Sequence, residues 1–429
     1  MRFTVRRRMC RVTFCILCLL PTLLVGGVAM FVNTSAYRSA RISRWQSRLS
    51  ARLGLRVSCS QVDWNGSARF VAHGIELRDP ETDACLARAS SATVMTTDDQ
   101  PVIRLGQPEV SFRQLPRLVD VLHEHLMLRR AETGTAFRLF APILVLERGS
   151  GSESVLDVHL ALDVHDSSTE AFIEFRPTDA NEGQRVRLRM VRNRQLSPPA
   201  TGWELHTGSV DLPCHLALGA LPALSQLGDT CVFRGSIWSE HLATGWQAEI
   251  SGVFRDLDLD RLVTGQFPHK LSGTAELTLI RMIVHRNRLV EARGHLRAGG
   301  GVVSQTLLSA AEEHLALKRC PPLTEATLLR YEDLYVGFSL DHEGLVIAGR
   351  DDQHQTVLAD LRGPLLTSRA SKGVPSHALA RFLVPLVDMN IPASKEAIAL
   401  LQALPLPPVT PARTSEARTT YTPLTLRRD

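Results

Sequence analysis

The sequence predicts a mainly β protein in which an N-terminal transmembrane helix precedes a curled antiparallel β-sheet body with a few packed helices. Three observations predict this fold class. An uncharged apolar run covers residues 12–32, most of the later chain alternates apolar and polar residues, and helical periodicity is confined to short segments. Alternation indicates strands with one apolar face, because successive side chains of a strand point to opposite faces.

The apolar run is long enough to cross a membrane as a helix. About 21 residues at about 1.5 Å per residue match a hydrocarbon core of about 30 Å. A cleaved signal peptide is the alternative, but its apolar core normally has about 7–15 residues and ends in small residues. No later segment is apolar enough to span, so the sequence predicts a single-pass membrane protein.

The orientation of this helix depends on the arginines around it. Both flanks are rich in arginine, so the positive-inside comparison is nearly balanced. The N-terminal arginines adjoin the run directly, and a long downstream domain crosses a membrane largely regardless of its charge. We therefore expect the N-terminus inside. These arginines are Arg2, Arg6, Arg7, Arg8 and Arg11.

After the membrane segment, a helix is predicted over residues 37–53, because Ile42, Trp45, Leu49 and Leu53 recur at intervals of three and four. Four later segments have the same periodicity, namely 115–128, 303–317, 376–387 and 394–404. The chain beyond them is rich in Pro, Thr and Arg without periodicity, which predicts disorder.

Strands are predicted wherever alternation is clear. The sharpest case is 185–190, with arginines on one side and aliphatic residues on the other, and 155–164 is another. Short strands separated by Gly, Asp and Asn turns favour a long antiparallel meander. The remaining predicted strands are 56–64, 140–147, 171–176, 201–212, 231–238, 247–254, 273–279, 289–297, 335–340 and 345–348.

These elements suggest four regions. Residues 1–36 form a cytoplasmic stub and the transmembrane anchor, and residues 37–210 form a first β-rich region. Residues 211–405 form a second β-rich region with C-terminal helices, and residues 406–429 form a disordered tail.

The charge of the chain argues against nucleic-acid binding. The net charge is +5, and the five arginines among the first eleven residues account for it. A nucleic-acid binder would need a basic face on the body. Cysteines Cys59, Cys85, Cys214, Cys231 and Cys320 are scattered through the body without metal-ligand spacing, which permits one or two disulfides in an oxidising compartment.

No motif with catalytic, cofactor-binding or metal-binding chemistry is recognised. Residues 256–260 carry alternating aspartates, but they lack the glycine and distant glutamate of a calcium loop. We interpret them as a strand end leading into a capped helical turn. The triplet 123–125, His-Glu-His, lies on a predicted helix where residues two apart do not share a face, which indicates a solvated surface. We predict a protein that is not an enzyme and has no cofactor or metal site.

Three stretches together resemble the AsmA-like family of bacterial cell-envelope proteins. They are the membrane segment with residues 49–57 and the strand ending at Trp64, residues 74–83 running into 86–89, and residues 271–277 followed by 289–301 and the next helix. The resemblance implies an inner-membrane anchor, a periplasmic body and a long curled sheet whose apolar groove is linked to lipid transport and outer-membrane assembly. It implies no catalytic residue, because the family pattern has none.

The alternating strands give a physical basis for such a groove. A sheet with one apolar face must cover that face by folding over, with helices or with a ligand. Acyl chains in an open groove would contribute about 0.8 kcal/mol for each buried methylene. The alternative is a non-enzymatic periplasmic scaffold whose filled sheet binds a protein partner through its edges.

We expect the membrane, phospholipid and envelope proteins as partners, and no nucleic acid. The candidate groove residues are Val158, Leu160, Leu162, Val186, Leu188 and Met190.

Overall fold

The computed structural model describes most of the chain from residue 34 onward. The described residues are 14, 22, 23, 25, 30, 34–64, 69–97, 100–128, 136–148, 151–217, 227, 228, 230–320, 326–350, 355–368, 373–383 and 404. The structure is mainly β, as predicted. It divides into two compact units, the first comprising residues 1–224 and 234–243, and the second residues 225–233 and 244–429.

The first unit contains the following described elements. They are helix α1 (Ser35–Leu53), β1 (Arg56–Ser58), β2 (Gln61–Trp64), β3 (Arg69–Arg78), β4 (Cys85–Thr97), β5 (Gln100–Ser111), helix α2 (Leu115–Leu122), a π-helix (His123–Leu128), β6 (Phe137–Arg148), β7 (Gly151–Val164), β8 (Ser168–Pro177), β9 (Val186–Asn193), β10 (Ala200–His206), β11 (Leu212–Pro213), a 3-10 helix (Cys214–Ala217) and β12 (Val232–Leu242), which belongs to this unit from residue 234.

The strands of the first unit pair mostly with their chain neighbours. Strands β1 and β2 both pair with β3, and the order continues through β4, β5, β6, β7, β8, β9 and β10 to β12. All these pairs are antiparallel except β5–β6, which is parallel. The predicted antiparallel meander is therefore wrong here, and the sheet is mixed. Parallel neighbours need a crossover of about a dozen or more residues, which α2 and the π-helix supply.

Helix α1 confirms the helix predicted over 37–53. The Thr34 hydroxyl accepts a hydrogen bond from the Tyr37 N–H at 3.3 Å, and Gly54 ends the helix with φ 70°. Positive φ at a helix end favours glycine, which has no Cβ to clash. The apolar side of α1 packs in the core of this unit, since Trp45 and Leu49 contact a cluster around the fully buried Ala72.

The predicted helix 115–128 is α-helical only as far as Leu122 and continues as the π-helix. This π-helix lies against the end of α1. The ring of His125 contacts the Ala51 carbonyl oxygen at 3.1 Å, and a Cβ at Gly54 would come within 2.2 Å of that ring. Glycine at this position thus serves both the turn and the close approach.

The second unit contains a second set of described elements. They are β13 (Gly245–Asp258), a π-helix (Asp260–Thr264), β14 (Thr274–His285), β15 (Arg288–Ala298), β16 (Gly301–Ser304), α3 (Gln305–His314), β17 (Leu317–Arg319), β18 (Leu328–Tyr331), β19 (Asp333–Asp341), β20 (Gly344–Ala348), β21 (Thr356–Asp360), β22 (Gly363–Ser368) and α4 (Ala378–Leu383).

Antiparallel pairing organises the second unit as well. Strands β13, β14, β15 and β19 pair in that order, and β19 also pairs with both β20 and β21. Strand β21 pairs with β22, which pairs with β17, while β16 and β18 form a separate two-stranded sheet.

Several predicted elements have other boundaries in the structure, and the strand predicted over 56–64 is divided into β1 and β2. The helix predicted over 303–317 starts at Gln305 and ends at His314, because Val302 and Val303 pair with β18, and the Ser304 hydroxyl caps the helix by accepting from the Leu307 N–H at 3.3 Å. The strand predicted over 201–212 ends at His206.

The transmembrane prediction falls almost entirely outside the described residues. Of residues 12–32, only Phe14, Thr22, Leu23, Val25 and Met30 are described, all in helical conformation. Within the described part of the chain, no helix is long and apolar enough to cross a membrane. The predicted anchor therefore stays a prediction. The predicted tail also lies outside the described residues, as does the helix predicted over 394–404 except for Leu404.

Candidate functional site

A continuous row of apolar side chains crosses the sheet of the first unit. Each member lies directly opposite the next across the strand pairs, so all share one face, which we call the apolar face. At about 4.8 Å per strand, ten strands give a row roughly 43 Å long. This central row consists of Trp64, Phe70, Val94, Ile103, Leu139, Leu160, Ile173, Leu188, Leu205 and Ile237.

The burial of the central row is incomplete. Leu205 and Ile237 are buried, with 4% and 2% of their surface exposed. The other eight members, from β2 to β9, are half-buried. A half-buried apolar side chain still presents surface that an apolar ligand could cover, at about 25 cal/mol per Å² removed from water.

A second apolar row flanks the central row, two residues further along each strand. We call it the Met190 row, and it consists of Phe137, Leu162, Ala171, Met190 and Trp203. Met127 of the π-helix covers it, since Met127, Leu162 and Met190 form one cluster with 1%, 1% and 8% of their surfaces exposed. Protein side chains therefore fill this part of the apolar face.

The other flank of the central row is also packed. Ala141 and Val158 lie opposite each other on β6 and β7, and their cluster includes Phe175 and Leu216 of the 3-10 helix. Phe175 lies opposite Val186, which is fully buried.

All six predicted groove residues therefore lie on one face, but in three different surroundings. Leu160 and Leu188 belong to the half-buried central row, Leu162 and Met190 lie beneath Met127, and Val158 and Val186 are buried on the other flank.

The opposite face of the same strands is charged. Arg187 lies opposite Glu174 and its Nε donates to Oε1 of Glu174 at 3.0 Å. Arg189 donates to Oε1 of Glu170 at 2.6 Å and lies opposite Glu204. This arrangement confirms the alternation predicted over 185–190, because the cross-strand ion pairs lie on one side and the aliphatic residues on the other.

Two stretches that the sequence singled out take different roles. Asp258 ends β13, and its carboxylate accepts from the N–H groups of Asp260 and Arg261 at 2.9 and 3.3 Å, so the predicted capped turn is confirmed. His123 does not lie on a solvated surface, because it is half-buried and its ring centroid lies 5.6 Å from that of Trp203. Among the described residues, no group of three His, Cys, Asp or Glu side chains could hold a metal ion.

The thiols of the body differ in state. Cys214 and Cys231 are each disulfide-bonded and almost fully buried, with 0% and 1% exposure. Cys59, Cys85 and Cys320 are free. Burial raises the pKa of the Cys59 thiol despite the hydrogen bond from Gln46.

Sequence reasoning missed the part of the central row on β4 and β5. Val94 lies between Thr93 and Met95, and Ile103 follows Val102, so apolar residues stand side by side and the alternation that would have revealed the strands is weak. The pairing of Ile103 with Leu139 could not be inferred from local pattern, since it arises from the parallel crossover.

Comparison of the chain with protein-family models, curated proteins and solved structures finds no match.

Proposed function

We propose that the chain is a membrane-anchored cell-envelope protein of AsmA-like type that binds lipid along the central row without covalent chemistry. The observation that carries this proposal is the row itself, an unbroken line of ten apolar residues of which eight are only half-buried. Fully packed cores keep such side chains away from solvent, so a half-buried apolar line of this length favours an apolar ligand.

The two flanks of the row support an elongated ligand. Over β6 to β9, protein side chains close the apolar face on each side of the row, with Met127 on one side and Leu216 on the other. At the β2–β5 end, Trp45 of α1 packs on Phe70 with 5.3 Å between the ring centroids, and Ile103 belongs to the same cluster, so the strip open to a ligand lies on β6 to β9. The strip between them runs across the strands rather than along them. Acyl chains have the matching shape and chemistry, and each methylene that they bury contributes about 0.8 kcal/mol.

Residues near the N-terminus support the membrane part of the proposal. Phe14, Leu23, Val25 and Met30 are helical and expose between 59% and 80% of their surfaces. Large apolar side chains with this exposure favour a lipid surrounding over water. The proposed periplasmic location of the body has separate support. Cys214 and Cys231 are disulfide-bonded, and disulfides are typical of an oxidising environment such as the periplasm.

The proposal is tested by measuring the lipid that remains with the purified full-length protein. We would purify the wild type and the variants Leu160→Trp and Leu188→Trp in detergent, transfer them to amphipol and quantify bound phospholipid by mass spectrometry. The matched control is Arg187→Trp, which places the same large ring on the charged face of β9. Both row variants should retain several-fold less lipid than the control, with unchanged melting temperatures. Lipid-free wild-type protein would contradict the proposal and favour the scaffold alternative.

A further inference from the structure

The apolar face of the first unit becomes polar beyond the Met190 row. Thr169, Arg192 and Thr201 lie directly opposite one another on β8, β9 and β10, two residues or about 7 Å from Met190 along β9. Thr169 and Thr201 are buried, with 0% and 5% exposure. Arg192 thus lies at the margin of the apolar face between two buried threonines, of which Thr201 accepts a hydrogen bond from it and Thr169 accepts one from Arg194.

The guanidinium of Arg192 is under-satisfied in this position. Its Nη1 donates to the Thr201 hydroxyl at 2.9 Å, while its Nε is buried and has no hydrogen-bond partner among the described residues. No carboxylate of the described residues lies within ion-pair distance of it. Burial and the neighbouring charge of Arg194 lower the pKa of Arg192, so both effects disfavour the cation. An anion beside Arg192 would offset both the desolvation of the guanidinium and the repulsion from Arg194.

His123 contributes a second buried polar atom that lacks a hydrogen-bond partner among the described residues. Within the described part of the chain its Nε2 is buried and has no hydrogen-bond partner, and its ring lies against Trp203 of the Met190 row. Burial and the charge of Arg192 lower the pKa of His123, and the nearby Asp120 opposes them only in part. The imidazole is therefore neutral near pH 7, and its Nε2 can carry the proton that donates to an oxyanion.

We propose that Arg192 and His123 form a binding site for a phosphate group at the margin of the apolar face. An arginine fork recognises phosphate oxygens through directed, charge-assisted hydrogen bonds, and a neutral imidazole N–H supplies a further donor. The phosphate could belong to a lipid headgroup or to a free phosphate. The neighbouring Met190 and Trp203 favour the headgroup, and that assignment rests on the proposed lipid-binding function.

Titration calorimetry on the full-length protein in amphipol tests this site with three probes. They are dihexanoyl phosphatidate, dihexanoyl glycerol, which lacks the phosphate, and inorganic phosphate alone. Phosphatidate should bind the wild type about tenfold or more tightly than the glycerol analogue, as expected for a charge-assisted hydrogen bond in a desolvated place. Arg192→Gln should remove that preference, whereas Arg187→Gln on the charged face should keep it.

Two further measurements separate binding from folding. Arg192→Gln should not lower the melting temperature of the ligand-free protein, because the wild-type cation is under-satisfied there. Arg192→Lys should retain part of the phosphatidate preference, since the charge remains and the fork is lost.

The outcomes distinguish the site from the proposed function. Inorganic phosphate that binds as tightly as phosphatidate, and only with Arg192 present, would support the site with a free phosphate as its ligand. Equal binding of phosphatidate and the glycerol analogue, unaffected by Arg192→Gln, would overturn the site but keep the lipid-binding function. Failure of both lipids to bind would overturn the proposed function, and the inorganic phosphate titration would then decide the site alone.

Discussion

Arg117 of the crossover helix α2 forms a bidentate ion pair with the buried Asp79 at the turn between β3 and β4. Its Nε donates to Oδ2 at 2.8 Å and its Nη2 to Oδ1 at 3.1 Å, and Asp79 exposes only 2% of its surface. The Glu81 N–H also donates to this carboxylate, at 3.0 Å. These hydrogen bonds, led by those from Arg117, hold the pKa of Asp79 well below its usual range. They fasten the crossover that makes β5 and β6 parallel.

Asp79→Asn should therefore lower the melting temperature at pH 7. An aspartate whose pKa is depressed on folding stabilises the protein fully above its unfolded pKa, about 3.9, and loses that contribution as the pH falls through the folded value. The difference between wild type and variant should narrow progressively below pH 4. Thermal denaturation at pH 7 and pH 3 measures it. The control Asp83→Asn removes the exposed ion pairs with Arg56 and Arg78 and should change stability by at most about 0.5 kcal/mol. Equal losses for the two variants would contradict the role of Asp79.

Leu188 and Arg187 provide a test of the two faces of β9. Leu188→Asp places a carboxylate in the central row without a partner and should destabilise the protein by several kcal/mol. Arg187→Ala removes a largely exposed ion pair with Glu174 and should cost within about 1 kcal/mol. Urea denaturation of both variants measures the difference. Similar midpoints would show that the faces are assigned the wrong way round.

Met127 tests whether protein side chains fill the flank of the central row. Met127→Ala removes a side chain that is 1% exposed and packs on Leu162 and Met190, so it should cost about 2–5 kcal/mol. The neighbouring Leu128 is 41% exposed, and Leu128→Ala should change stability by at most about 0.5 kcal/mol. A Met127→Ala variant as stable as the Leu128→Ala variant would mean that the π-helix does not cover this face.

Local patterns predicted much of the fold because many strands have one solvent-exposed face and one buried face. In β9, the alternation over 185–190 placed arginines and aliphatic residues on the faces where the structure has them. The helix over 37–53 was predicted for the same reason, since its apolar stripe repeats every three or four residues.

The remaining features depend on contacts between distant parts of the chain. The parallel β5–β6 pair arises because α2 carries the chain back across the sheet, and Arg117 and Asp79, which secure it, are separated by 38 residues. The position of His123 against Trp203 depends on the same crossover, so the triplet 123–125 alone could not reveal it. The candidate site was predicted as a face, but the register that joins Leu160, Ile173 and Leu188 into one row is a property of the paired sheet.

Site-specific photo-cross-linking in native membranes tests whether lipid occupies the central row. A photoreactive amino acid would be introduced into the full-length protein at Leu160, Ile173 or Leu188 of the central row, and at His159 or Arg187 of the charged face as matched controls. After irradiation, mass spectrometry would identify any lipid attached at each position. If lipid occupies the central row, phospholipid adducts should form at the three row positions and none at the two controls. Absence of lipid at all three row positions, or equal labelling of both faces, would contradict occupancy of the row by lipid.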